Sequence, residues 1–207
     1  PGFAEKVEAF VANGGTFVTT CLSGIVDEAG LAFENGYPGS LARVLGIRVE
    51  EIDALYENQT NQIVMADGSG VYSCSRLADL LHAETAEVVA TYGEDFYQGM
   101  PIVTRNAFGA GTAYYLASDP DDSFLNRLYR EIVTKHGLTP RLSAPQGVEV
   151  AVRYKGGSPS IFVLNHTSET LTVPLDGKRF RNLLNDERVE QALTLNGYDV
   201  AILRPDD

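Results

Sequence analysis

Residues 13–53 read NGGTFVTTCLSGIVDEAGLAFENGYPGSLARVLGIRVEEID, and this stretch decides the fold. The β-branched run from Thr16 to Thr20 predicts a buried strand, and the Asn-Gly-Gly motif at 13–15 ends an amphipathic helix before it. The strand opens into a long loop rich in glycine and acidic residues, which leads to a short helix that starts at Pro38 and ends at Gly46. A loop this long usually contacts something outside its own domain. The stretch therefore predicts one unit of an α/β sheet that carries a functional loop.

The residues that follow are rich in β-branched and aromatic types. Extended runs are predicted at 47–56, 71–92, 101–106 and 112–117, and the glycines at 109 and 111 indicate a hairpin between the last two. Within the second run, residues 77–89 also fit a helix by propensity, and that alternative stays open at this point. A helix is predicted next, capped by the acidic residues at 119–122, with an apolar face that ends before Gly137.

The pattern of apolar and polar residues changes after residues 138–146, which contain Pro140 and Pro145. From there the pattern alternates with period two, and paired turn residues replace helical periodicity. Six short strands are predicted, at 148–154, 160–165, 170–174, 179–184, 189–195 and 199–203. We therefore predict an α/β domain at 1–142 and a small antiparallel β-sandwich at 147–207.

The charge of the chain restricts its partners. The net charge is −12, and the 16 Lys and Arg residues are scattered rather than gathered in a stripe. Such a surface repels phosphate backbones and anionic headgroups, so nucleic acid and membrane surfaces are not expected partners. No apolar run approaches the ~20 residues that a bilayer-spanning helix needs. With only two cysteines and no leader pattern, we expect a cytoplasmic protein without disulfides.

A cysteine hydrolase is the sharpest chemical alternative. Cys21 ends a strand, and His82-Ala83-Glu84 is similar to the His-x-Glu arm of glutamine amidotransferases. The strained turn that exposes such a nucleophile needs glycine two positions before it and two positions after it. Thr19 and Ser23 occupy those positions here. A buried, inert Cys21 is therefore favoured, and a dyad of Cys21 and His82 remains the alternative.

Acidic and histidine residues provide no convincing catalytic or metal pattern. Glycoside hydrolysis needs two carboxyl groups roughly 5 to 9.5 Å apart across one cleft, and adjacent acidic pairs on a strand point in opposite directions. Asp27 and Glu28 are the exceptions to consider, because they lie in the long loop. The acidic cluster at 119–122 is better explained as a helix cap than as a cation site, and the three histidines lack zinc-site spacing. We predict no catalytic residue, no metal and no cofactor in this chain.

Two blocks of sequence resemble a known family. The block NGGTFVTTCLSGIVDEAGLAFENGYPGSLARVLGIRVEEIDAL, together with NAFGAGTAYYLAS and the helix after it, resembles the trimerisation domain of glycoside hydrolase family 42 β-galactosidases. The segment from FVLNHTSETLTVPL through GYDVAILRP resembles the small C-terminal β domain of that family. Together the two resemblances cover nearly all of the chain.

The resemblance implies an enzyme in three parts. A catalytic (β/α)8 barrel would be followed by a flavodoxin-like, three-layer domain related to glutamine amidotransferases, and then by an antiparallel sandwich. This chain would hold the last two parts, and it would begin inside the middle domain without the opening strands of that sheet. The acid/base and nucleophile glutamates of the family lie in the barrel, so none is assigned to a residue here. The implied function is assembly of a homotrimer that hydrolyses terminal β-D-galactosides with retention of configuration.

The 23–39 loop is our candidate for a wall of a neighbouring subunit's pocket. A barrel has its active site at an open mouth, which a neighbouring subunit can close. In the loop, Phe33 and Tyr37 are candidates for stacking on a sugar face, and Asp27 and Glu28 are candidate acceptors for sugar hydroxyls. A carbohydrate-binding module in the β domain is a further alternative, and it would need an exposed aromatic platform built from Tyr154, Phe162, Phe180 and Tyr198.

Overall fold

A computed structural model describes residues 2–34 and 36–206 of the 207-residue chain. The described residues form two compact units, of which the first ends at Val133 and the second begins at Thr134. Leu142 packs in the hydrophobic core of the second unit. The limits predicted from sequence, 1–142 and 147–207, stay predictions.

Three α-helices belong to the described residues, and their bounds are α1 Phe3–Ala12, α2 Ala42–Leu45 and α3 Asp122–Lys135. α1 buries Val7 and Val11 and ends where the Asn-Gly-Gly motif begins, as predicted. A single 3₁₀ turn, Gly39–Leu41, leads into α2. Gly46 ends α2 with a φ of 66°, a left-handed conformation that glycine adopts without a steric penalty.

The first unit contains eight strands: β1 Thr16–Thr20, β2 Ile47–Ala54, β3 Asn61–Met65, β4 Val71–Ala83, β5 Glu87–Tyr92, β6 Pro101–Phe108, β7 Gly111–Leu116 and β8 Ser118–Pro120. They form one sheet in the order β1-β7-β6-β5-β3-β4-β2, with β8 beside β4. The region that also fitted a helix is strand, because β4 pairs with β2, β3 and β8. Long-range pairing decides the conformation there over local propensity.

The sheet is mixed rather than parallel. Only β1 and β7 pair in parallel among the described strands, with Thr16 opposite Thr112 and Thr20 opposite Leu116. The other strand pairs are antiparallel, and short turns join several of them, including the predicted hairpin between β6 and β7. The structure therefore supports a mixed α/β sheet with few helices. The flavodoxin-like label is not confirmed, because it describes a mainly parallel sheet.

Helices lie on both faces of this sheet. Asn106 on β6 donates a side-chain hydrogen bond of 2.9 Å to the Val44 carbonyl of α2. Tyr114 on β7, which pairs with Arg105, lines a small cavity with Phe124 and Leu128 of α3. Because consecutive residues of a strand face opposite sides, α2 and α3 cover opposite faces.

The second unit is entirely antiparallel in its described strands, which are β9 Val148–Lys155, β10 Ser158–Asn165, β11 Leu171–Pro174, β12 Phe180–Asn182, β13 Arg188–Val189, β14 Ala192–Leu195 and β15 Val200–Pro205. Five of them form one sheet in the order β13-β12-β15-β10-β9, and β11 pairs with β14. Residues from both sheets share one core. The single strand predicted at 189–195 is divided in the structure, because Gln191 adopts a φ of 65° and separates β13 from β14.

Candidate functional site

The 23–39 loop leaves the sheet at the end of β1, the strand that pairs in parallel with β7. It contains its own small hairpin, in which Val26 bridges Ala32. The amide of Asp27 donates to the Leu31 carbonyl at 2.8 Å, and the amide of Phe33 donates to the Ile25 carbonyl at 3.4 Å. The loop is therefore a folded element with internal hydrogen bonds.

Asp27 shapes the turn of this hairpin. Its Oδ1 accepts hydrogen bonds from the Ala29 amide at 2.8 Å and the Leu31 amide at 2.9 Å. Aspartate commonly stabilises a turn in this way. Glu28, the next residue, is exposed and lines the same groove as Asp27. The proposed role of both carboxylates as acceptors for sugar hydroxyls stays a prediction.

Phe33 separates two surface grooves. The first has a volume of about 610 Å³ and is lined by residues of α1, β1 and the loop, including Phe3, Thr19 and Glu28. The second has a volume of about 470 Å³ and runs from Phe33 to Arg48. The Phe33 ring lies over Gly39, where an added Cβ would approach it to 2.2 Å. Phe33 is half-buried, so one part of its ring packs on the loop and another part contributes to the grooves.

Tyr37 is tied to the sheet through its hydroxyl. The hydroxyl donates a hydrogen bond of 2.7 Å to Oδ1 of Asp79, a residue of β4 with no exposed surface. Burial is the largest cause of the raised pKa of the Tyr37 hydroxyl, and the hydrogen bond to Asp79 raises this pKa further. The backbone is fixed as well, because the Val49 amide donates to the Tyr37 carbonyl at 2.9 Å. Tyr37 therefore anchors the loop, and its role in stacking on a sugar stays a prediction.

Asp79 is the centre of a buried polar cluster that sequence reasoning did not single out. Its Oδ2 accepts a hydrogen bond of 2.6 Å from the Tyr115 hydroxyl, and the nearby Leu22 amide lowers the pKa of the same carboxyl. The Tyr92 hydroxyl donates to the Ala117 carbonyl at 2.9 Å close by. Burial raises the pKa of Asp79, and the three donors to its carboxylate act in the opposite direction. The only sequence signal was an acid inside the apolar run of β4.

Cys21 and His82 occupy different environments. The pKa of the Cys21 thiol is raised to about 11, mainly by burial and also by the carboxylates of Asp79 and Asp119. His82 is exposed, and its Nε2 lies 2.5 Å from Oε2 of Glu50. A reactive cysteine needs a lowered pKa, which a nearby imidazolium supplies. The alternative of a cysteine hydrolase is therefore not supported.

The alternative of a carbohydrate-binding module is not supported either. Phe180 is buried in the core of the second unit, while Tyr154 and Tyr198 are exposed. Phe162 is half-buried on β10. The four aromatic side chains therefore do not form the exposed platform that this alternative requires.

Within residues 2–34 and 36–206, no group of three or more His, Cys, Asp or Glu side chains is placed to hold a metal ion. In the same part of the chain, no helix has the length and apolar character needed to cross a bilayer.

The loop and the sheet around it match a known family. Residues 1–139 match the model of the β-galactosidase trimerisation domain, and residues 147–205 match the model of the β-galactosidase C-terminal domain. The chain belongs to the glycoside hydrolase family 42 β-galactosidases. Its two parts are the trimerisation and C-terminal domains of that family, which confirms the resemblance found in the sequence.

Individual family members agree with this assignment. β-Galactosidase BgaA of Planococcus sp. strain SOS Orange is 49% identical over 206 residues, and BgaP of Planococcus sp. strain L4 is 47% identical over 206 residues. Each match covers 98% of this chain and 30% of the relative. The crystal structure of the β-galactosidase from Bacillus circulans sp. alkalophilus matches with a TM-score of 0.89 and 48% identity, over 100% of this chain and 31% of that one. The chain thus spans about 30% of the length of these relatives.

Proposed function

We propose that this chain is the noncatalytic assembly region and C-terminal region of an enzyme that hydrolyses terminal β-D-galactosides with retention of configuration. The observation that carries the proposal is the match of residues 1–139 to a trimerisation domain, with relatives whose names are those of β-galactosidases. The chemistry of the loop agrees with a noncatalytic role. Asp27 and Glu28 are sequence neighbours, and the Asp27 carboxylate is occupied by loop amides, so they do not form a facing pair of acids.

The α/β unit is the part that we assign to homotrimer formation. The family description names trimerisation for residues 1–139. The side chains at the loop and at the start of α1 offer apolar surface for such a contact, since Phe3, Val26 and Leu31 are at least half exposed. Two free thiols, at Cys21 and Cys74, agree with a cytoplasmic location, which is part of the same proposal.

The 23–39 loop is the part that we assign to a neighbour's substrate pocket. Phe33 and Glu28 line its grooves, and Asp27 and Tyr37 hold the loop in shape. A folded loop can close an open barrel mouth without first being ordered, which lowers the entropic cost of the contact. The loop would then contribute to substrate affinity and leave bond cleavage to the barrel.

The assignment of assembly to this chain and of bond cleavage to the barrel is tested by comparing the purified 207-residue chain with the complete enzyme that carries it. We expect the complete enzyme to hydrolyse a chromogenic β-galactoside and the 207-residue chain to show no turnover. We expect light scattering to give a trimer for the complete enzyme. Hydrolysis by the 207-residue chain alone, above the rate of a mock preparation, would overturn the proposal.

The assignment of the 23–39 loop as a wall of a neighbour's substrate pocket is tested with Phe33→Ala in the complete enzyme. We expect kcat/KM to fall about tenfold, since a loss of ~1.4 kcal/mol corresponds to a factor of ten. Phe96→Ala is the matched control, because Phe96 is exposed on a separate turn and should leave the kinetics unchanged. If Phe33→Ala changes neither the kinetics nor the trimer, the loop is not a wall of the pocket.

A further inference from the structure

One buried carboxylate holds the 23–39 loop near both of its ends. The hydroxyl of Tyr37, near the end of the loop, donates a hydrogen bond of 2.7 Å to Asp79, and the amide of Leu22, immediately before the loop, is close enough to lower the pKa of the same carboxyl. These two residues are 15 positions apart in sequence, yet both reach the same side chain. Asp79 itself lies on β4 and is fully buried, so it is fixed by the sheet.

The backbone also brings the two ends of the loop together, and we call the place where Gly24 meets Pro38 the neck of the loop. Gly24 has a φ of 72°, and a Cβ at that position would lie 2.3 Å from the Pro38 carbonyl oxygen. The two ends of the loop therefore touch directly, at a distance that only glycine permits. The hydroxyls of Thr19 and Ser23 lie 2.6 Å apart at the point where the chain leaves β1.

The second hydroxyl on Asp79 comes from the sheet and not from the loop. Tyr115 lies on β7, has no exposed surface, and donates to Oδ2 at 2.6 Å. The sheet thus holds one oxygen of the carboxylate, and Tyr37 of the loop binds the other. A buried carboxylate is costly unless its hydrogen bonds are satisfied, so this arrangement couples the loop's position to the interior of the sheet.

We propose that Asp79 is a positioning residue: through Tyr37 it fixes the 23–39 loop, and with it Phe33, in the position that a neighbouring copy of the enzyme needs at its galactoside pocket. The inference rests on the proposed function for the loop. Asp79 does not contact the substrate. Its effect is transmitted through the neck to the grooves on either side of Phe33.

The test compares two tyrosine variants in the complete enzyme. Tyr37→Phe removes the hydroxyl that joins the loop to Asp79, and Tyr115→Phe removes the hydroxyl that joins the sheet to the same carboxylate. Hydrogen exchange reports the loop amides directly, and steady-state kinetics reports the pocket. Both substitutions keep the aromatic ring, so both variants should fold.

We expect Tyr37→Phe to speed exchange of the loop amides about tenfold and to raise KM for the galactoside by a similar factor, with a smaller change in kcat. We expect Tyr115→Phe to leave loop exchange within about twofold of the wild type. Loop exchange at the wild-type rate in Tyr37→Phe would overturn the inference, because Asp79 would then serve only the interior of the sheet.

Phe33→Ala separates failure of the inference from failure of the proposed function. If Phe33→Ala impairs the kinetics while Tyr37→Phe does not, the loop is a pocket wall but Asp79 does not position it, and the inference is overturned. If neither variant alters the kinetics, the proposed wall function fails and the inference fails with it. If both raise KM and only Tyr37→Phe loosens the loop, the inference is supported.

Discussion

Replacing Asp121 with alanine should destabilise the first unit more than any neighbouring charge change. Asp121 precedes α3, and its Oδ1 accepts the Phe124 amide at 2.8 Å, which is the geometry of a helix N-cap. Its Oδ2 accepts the Ser73 amide of β4 at 2.8 Å. One side chain therefore caps the helix and joins it to the sheet.

The magnitude follows from these two hydrogen bonds. Loss of an aspartate N-cap costs about 1 kcal/mol. Loss of the acceptor for the Ser73 amide, in a half-buried position, adds about 1 kcal/mol or slightly more. We expect Asp121→Ala to lower the free energy of unfolding by about 2 to 3 kcal/mol in total. Asp121→Asn should cost about half as much, because its amide oxygen can still cap Phe124.

The pH dependence provides a second check. Burial raises the pKa of Asp121, but the amides of Phe124 and Ser73, together with the neighbouring Ser123, outweigh it, so the pKa is lowered in the folded chain. A carboxyl with a lowered folded pKa stabilises the fold above its unfolded pKa, which is about 3.9 for aspartate. That contribution is lost as the pH falls through this value towards the folded pKa. The difference between wild type and Asp121→Ala should therefore shrink below about pH 4.

The assay is urea unfolding of the 207-residue chain. The chain contains no tryptophan, so far-ultraviolet circular dichroism is the suitable signal. Asp122→Asn is the matched control, because Asp122 is exposed at the first position of α3 and its loss should cost at most ~1 kcal/mol through the helix dipole. If Asp121→Ala is no less stable than Asp122→Asn at neutral pH, the reasoning about the dual role of Asp121 is refuted.

Three further predictions concern the loop, the cysteine that precedes it and assembly. Gly24→Ala should destabilise the chain by at least ~1 kcal/mol, because it combines a φ of 72° with a clash against the Pro38 carbonyl, and faster proteolysis within the loop should report it. Cys21 should react slowly with iodoacetamide at neutral pH and faster as the pH approaches its thiol pKa of about 11; rapid neutral alkylation would contradict the burial argument. The first unit carries seven Lys and Arg against 19 Asp and Glu, and the second carries nine of each. Raising the salt concentration from about 0.01 M to about 0.15 M should therefore strengthen the trimer by screening repulsion, as sedimentation would show, and dissociation by salt would point to an ion-paired interface.

The sequence predicted those elements whose signals are local. Gly46 ended a helix as expected because its left-handed φ is a property of that residue and its neighbours. The strands of the second unit followed from period-two alternation, which the burial of alternate residues in β10 reproduces. The sheet of the first unit was harder to predict because strand direction depends on which strands pair. Nothing in the run of β4 specifies that it lies between β2 and β3.

In the candidate site, long-range contacts of single side chains were equally hard to predict from the sequence. Tyr37 was predicted as a stacking residue because it is aromatic and lies in a long loop. That role stays a prediction. The sequence did not indicate that the Tyr37 hydroxyl donates to a carboxylate 42 positions away, where a second tyrosine, 36 positions beyond Asp79, completes the cluster. Residue type and spacing do not encode contacts of this range. Phe33 lies over Gly39, a contact between residues close in sequence, and lines a groove, and its role as a wall of the pocket stays a prediction.

A fully buried carboxylate also constrains how the loop can behave. If the loop swung away as a unit, Asp79 would lose the Tyr37 donor while keeping Tyr115, and a buried carboxyl with fewer donors is strongly disfavoured. Opening at the neck is therefore coupled to the stability of the sheet. The backbone hydrogen bonds of the small hairpin between Val26 and Ala32, by contrast, lie within the loop. Any adjustment on contact with a neighbouring subunit should consequently occur at the hairpin, while the neck and the sheet remain in place.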